Sequence, residues 1–194
     1  ELEDTGFIIR FKPHGHKLRG IYYKVIDEYT LFYLKWVERI KDTLLKMSMP
    51  EGYWLSQQNS PAWHSWAGLA FESICYKHLS QIRQRLGLDA GAIPNTWRYV
   101  PRKGSKEKGE QINLLFDHND GVITICKIKY TNEAFSIDKA YAEKLLKKCV
   151  VFKERTKTDK QLFLAMISAN GLKKTIYYEE YITDVVTLDD LFKF

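Results

Sequence analysis

Two strand-like runs, Gly109 to Asp117 and Val122 to Tyr130, stand with only His118-Asn119-Asp120-Gly121 between them. A link this short, closing on Asp-Gly, lets the runs pair as a hairpin and leaves no room for the crossover that parallel strands need. The flanking segments take their places around that hairpin. Ser60 as a cap with Pro61 at the first helical position opens a helix predicted over Ala62 to Leu86, carrying Trp63, Trp66, Phe71, Ile74, Cys75, Leu79 and Ile82, with Gly87 as its stop. Thr96 to Val100 reads as a short strand and Pro101 to Gly109 as a basic loop. Ile137 to Glu154 reads as a basic amphipathic helix with Tyr141, Leu145 and Val151 inward, and Gln161 to Ile167 as a buried strand. Tyr177 to Phe194 alternates as a strand before a short helix at Leu188 to Phe192. Helix, three antiparallel strands, helix, strand and a final element predict an α/β layered domain over residues 60–194.

Residues 1–59 read differently. Gly6 to Lys12 and Ile21 to Ile26 are two short strands around the turn-prone Pro13-His14-Gly15-His16. Asp27 or Thr30 then caps a helix with Leu31, Leu34, Val37 and Leu44 or Leu45 on helical spacing. This hairpin-helix appendage has too little core to stand alone. The polar, Gly-containing stretch Glu51 to Ser60 is the expected linker. Gly15 and Gly20 have the separation of a phosphate-binding loop, but Ile21-Tyr22 follow where Lys and Ser or Thr are required, so no ATP site is expected.

At 194 residues and 45% hydrophobic content, the chain can bury one substantial core. No apolar run approaches the roughly 20 residues of a membrane span and no signal peptide opens the chain, so a cytoplasmic protein without a membrane partner is expected. Its first residue, Glu1, fits a piece of a longer protein. Cys75, Cys126 and Cys149 are odd in number and widely spaced, without metal-type spacing, which fits a reducing compartment. The net charge of +6 is uneven: residues 1–59 hold 9 Lys and Arg against 8 Asp and Glu, and residues 60–194 hold 21 against 16. The predicted α/β domain therefore carries the basic excess.

The hairpin resembles the central hairpin of the PD-(D/E)XK nuclease superfamily, with its two metal-binding acids missing. That motif sets an Asp on the first strand and an acid-x-Lys triplet on the second. Here the matching positions read Asn113 and Lys127-Ile128-Lys129. The phrases Trp66-Ala67-Gly68-Leu69-Ala70-Phe71-Glu72, Gln111-Ile112-Asn113-Leu114, Cys126-Lys127-Ile128-Lys129-Tyr130 and Val186-Thr187-Leu188-Asp189-Asp190-Leu191-Phe192 are similar to the C-terminal region of archaeal-type P-loop ATPases. In those proteins an ATPase domain and a winged helix precede a nuclease-like domain, and Gly6 to Asp27 resembles the end of that winged helix. The resemblance implies a restriction-endonuclease-like core, a mixed central sheet flanked by helices. It also implies a site gathered from Glu72 and positions 113, 127 and 129.

Metal-assisted phosphodiester cleavage needs hard oxygen ligands. An Asn at 113 weakens such a site, and a Lys at 127 opposes it: a unit positive charge about 4 Å from a divalent ion is repelled by about 8 kcal/mol at an effective dielectric of 20, and about 2 in water. The expectation is a catalytically degenerate nuclease-fold module with no metal site and no cofactor, in which Lys127 pairs with Glu72. It would act in binding or regulation, its partner DNA or a protein such as an ATPase domain. The alternative is an active metal-dependent DNA endonuclease using Mg2+, in which Asp117, Glu110 or Glu133 replaces the missing acids. Asp117 shares the strand face of Asn113 but lies roughly 13 Å along it.

Arg98, Arg102, Lys103, Lys106 and Lys108, with only Glu107 against them, would contact phosphates or form a solvated, mobile loop. Lys139, Lys144, Lys147, Lys148 and Lys153 would extend a basic groove or, with Glu143 and Glu154 interleaved, form a plain solvated helix face. Trp54, Trp63, Trp66 and Trp97 would stack on bases or pack internally. His14 and His16 form an H-x-H pair without an evident third ligand, and His64, His78 and His118 lack zinc spacing.

Overall fold

The computed structural model describes residues 1–15, 21–38, 40, 51–58 and 60–193. It is a mixed α/β structure with a five-stranded mixed sheet, flanking helices and a separate two-stranded hairpin. The chain divides into two compact units: Glu1–Arg10 with Tyr23–Lys77, and Phe11–Tyr22 with His78–Phe194. A boundary expected at 59/60 would fall before the long helix; the compact units divide after it.

The first unit contains most of hairpin β1 (Ile8–Phe11) and β2 (Tyr22–Val25), then α1 (Glu28–Phe32), α2 (Tyr53–Gln57) and α3 (Pro61–Lys77). Of the two candidate caps, Asp27 caps α1, its carboxylate accepting the Thr30 backbone N–H at 2.7 Å. Beyond α1 the chain widens into a π-helical turn, Tyr33–Val37, so the helical spacing anticipated for Leu31, Leu34 and Val37 breaks, and Leu34 is exposed. Leu44, Leu45 and His16 lie outside the described residues. The stretch read as a linker contains α2, whose Trp54 packs 5.2 Å from the Phe32 ring. Trp36, Trp63 and Trp66 lie within 5.0 to 6.2 Å of one another, so these indoles pack internally.

The second unit holds the sheet, in the order β3 (Ile93–Tyr99), β4 (Glu110–Asp117), β5 (Val122–Lys129), β6 (Gln161–Ser168), β7 (Asp184–Val186). The first three strands are antiparallel. β6 and β7 join in parallel, with Ile125 opposite Leu164 and Met166 opposite Val185. A parallel β5–β6 pair requires a crossover, supplied by α5 (Lys139–Thr156), whose start is capped by the Asp138 carboxylate. Leu145 and Phe152 of α5 pack with Leu115, Ile125, Leu164 and Met166 in one buried cluster. Trp97, assigned above either to base stacking or to packing, is in that cluster, edge-on to Phe152 at 5.2 Å.

Two expectations change here. The single helix over 62–86 is broken at His78 into α3 and α4 (Leu79–Arg85), and Gly87, at φ +64°, ends the second piece. The strand expected from Tyr177 is instead α6 (Ile176–Tyr181), because Thr175 caps it and Tyr177, Tyr178 and Tyr181 pack on the cluster with helical spacing. The strand follows as β7, and α7 (Leu188–Leu191) closes the chain with a Thr187–Asp190 capping box. No helix among the described residues is long and apolar enough to cross a membrane.

Phe152 has no exposed surface and joins α5 to the sheet. Phe152→Ala is expected to cost about 3–5 kcal/mol, read as a lowered urea midpoint for the second unit by tryptophan fluorescence.

Candidate functional site

Asn95 of β3 lies opposite Leu115 of β4 and Trp97 opposite Ile112, so between these pairs one residue of β3, Thr96, faces two of β4, Asn113 and Leu114. The extra residue is a β-bulge at the Asn113-Leu114 step. It explains why Ile112 and Leu115, three apart, both belong to the buried cluster. It also corrects the expectation that Asn113 and Asp117 share a face by simple alternation, since that alternation does not run unbroken between them. β5 is regular, so Lys127 and Lys129 do share a face and register with Met166 and Ser168 of β6. Lys129 sets its ammonium 5.3 Å from the centre of the Phe135 ring, a cation–π contact.

Asn113 and Lys127 border one small cleft, with Gln111, Ile112, Leu145 and Lys148. Its space for the centre of a water molecule is about 10 Å³, enough for about one water. Lys148 reaches this place because it follows buried Leu145 by three residues on α5. Its ammonium donates to the Glu110 carboxylate at 2.6 Å and to the Gln111 carbonyl at 2.7 Å. No sequence signal singled out that partnership, which spans 38 residues. Glu72 lies on α3 in the first unit, where it accepts a hydrogen bond from Lys24, and the same ammonium stands 4.4 Å from the centre of the Tyr76 ring.

Two of the three acids proposed as substitutes hold lysines. Glu110 is bound by Lys148. Asp117, at the far end of β4, accepts from Lys160 at 2.6 Å, and His14 Nδ1 lies 3.5 Å from its other oxygen. Lys160 also donates to the His118 carbonyl, closing the β4–β5 turn. Glu133 is exposed in the segment after β5, where its backbone carbonyl accepts from the Thr131 hydroxyl. Burial pushes the Cys126 thiol well up, and the Cys149 thiol up to about 11, which disfavours the thiolate at both.

The basic loop after β3 makes side-chain contacts with β3 and α5. The Tyr99 hydroxyl donates to the Glu107 carboxylate, the Arg155 guanidinium of α5 donates to it as well, and that guanidinium lies 4.3 Å from the centre of the Tyr99 ring. Arg98, Arg102, Lys103, Lys106 and Lys108 are exposed, and none forms an ion pair among the described residues. No protein-family model, curated protein or solved structure matches the chain.

His14 offers a pH test. Burial lowers its pKa below 6.5, with nearby Asp117 pushing the other way and Lys160 adding to the lowering. Folding therefore favours the neutral ring, and that stability is complete above about pH 6.5 and lost as the pH falls through the lower folded value. Urea midpoints of the second unit are expected to fall between pH 7.5 and 5.5, and to fall less in His14→Gln.

Proposed function

We propose that the chain is a catalytically degenerate nuclease-fold module, related to the C-terminal region of archaeal-type ATPases, that acts through binding rather than cleavage. The carrying observation is the cleft that Asn113 and Lys127 border with Lys148. Where the nuclease motif sets two anions, this chain sets an amide and an ammonium, and a second ammonium stands beside them, already paired with Glu110. A divalent ion there would meet positive charge, with a repulsion of about 2 kcal/mol in water and about 8 at an effective dielectric of 20 for a separation of about 4 Å, and the upper figure is more than a single neutral ligand is expected to offset. The strand order supports the nuclease-like reading: three antiparallel strands followed by a crossover helix to a parallel fourth. The readings with displaced acids are weaker, because Glu110 and Asp117 both hold lysines.

The test is paired. With Mg2+ or Mn2+ the chain is expected to leave supercoiled and linear DNA intact, whereas Asn113→Asp combined with Lys127→Glu gains metal-dependent cleavage. Cutting by the unaltered chain, lost in Asp117→Asn or Glu110→Gln, would replace the binding reading with the enzymatic one.

A further inference from the structure

The loop between β3 and β4 carries Arg102, Lys103, Lys106 and Lys108 and one acid, Glu107. Glu107 is exposed, yet its carboxylate accepts hydrogen bonds from Tyr99 of β3 and from Arg155 of α5, 48 residues away in sequence, rather than from the loop's own lysines. Arg155 stacks on Tyr99, so the three side chains close on one another as a latch. A second tie, Lys148 to Glu110 and the Gln111 carbonyl, fixes the loop's far end to the same helix. The loop is thus pinned to α5 at two points, with its cations left on the outside.

We propose that the Tyr99–Glu107–Arg155 latch holds this loop as a preformed arch of cations that grips the phosphate backbone of nucleic acid, with Glu107 as a positioning residue. The inference rests on the binding reading above and names the partner. Between residues 98 and 109 the only large apolar side chain exposed is Val100. A protein partner would find no exposed aromatic side chain there and only this single valine to anchor on. A polyphosphate needs only cations at fixed spacing, and each contact releases a counter-ion. Lys144 and Lys147, exposed on α5, and Arg98, exposed on β3, supply further charge to the same elements.

Fluorescence anisotropy with a labelled random-sequence 20-base-pair duplex and the matching single strand, from 50 to 300 mM NaCl, tests this. Lys103→Ala with Lys106→Ala and Lys108→Ala is expected to weaken binding at least tenfold and to flatten the slope of log affinity against log salt by about 2 to 3. Glu107→Ala decides the latch. If charge alone mattered, removing an acid from a basic loop would tighten binding; loss of a preformed arch weakens it, by an expected 3- to 10-fold with the salt slope unchanged. Tyr99→Phe removes one hydroxyl and no charge, and is expected to weaken binding in the same sense. Thermal melts confirm that each variant is folded. Unchanged or tighter binding by folded Glu107→Ala overturns the latch, and an unaffected triple variant overturns the arch. No binding of either nucleic acid at 50 mM overturns the partner, in favour of an acidic protein. Cleavage in the metal assay is a separate outcome that strikes the binding reading alone.

Discussion

Strand β5 is hydrogen-bonded on both sides, antiparallel to β4 and parallel to β6, and that double pairing sets the geometry of the second unit. Ile123, Thr124, Ile125 and Cys126 are buried in succession, as a strand covered on both faces requires. Only at Lys127 does the strand regain partial exposure, and Lys129 follows two residues on. The place where charge enters β5 is therefore the place where the central ladder leaves its cover. The cleft that Lys127 borders with Asn113 and Lys148 opens at that end of the strand.

Lysine dominates the electrostatics of this sheet, and its role differs from place to place. Lys148 and Lys160 each clamp a carboxylate and a backbone carbonyl, tying α5 to β4 and the segment before β6 to the β4–β5 turn. An ammonium with three donors can close such joints, which makes these lysines structural although their residue type suggests a surface role. Lys127 stands where a metal-binding acid is expected by resemblance, whereas Lys103, Lys106 and Lys108 remain outside any ion pair among the described residues. The excess charge of the chain is thus divided between joints and an outward-facing remainder.

Much of the architecture was legible because it rests on local rules. The β4–β5 hairpin, a helix close to the bounds of α5, the Gly87 stop and one of the two candidate caps for α1, Asp27, all appear where turn chemistry and periodicity set them. The errors also have local causes. His78 broke a helix whose apolar spacing ran on past it, and the tyrosines of α6 satisfied strand alternation while Thr175 supplied a helix cap. The bulge at Asn113-Leu114 left no trace, since a one-residue excess in β4 has meaning only against the residue count of β3.

By itself the amino-acid order determined the alternation of helices and strands, the hairpin at the centre of the sheet, and the absence of acids at Asn113 and Lys127. These follow from spacing, turn residues and side-chain charge within short windows. The tertiary structure alone decided which carboxylates remain available. Glu110 and Asp117 are ordinary strand acids until Lys148 and Lys160, 38 and 43 residues further along the chain, are brought against them. Glu107 likewise becomes an anchor only when Arg155 arrives. Ion pairing over such separations depends on where the crossover helix lands on the sheet, a consequence of burying its apolar face, and no local pattern encodes it.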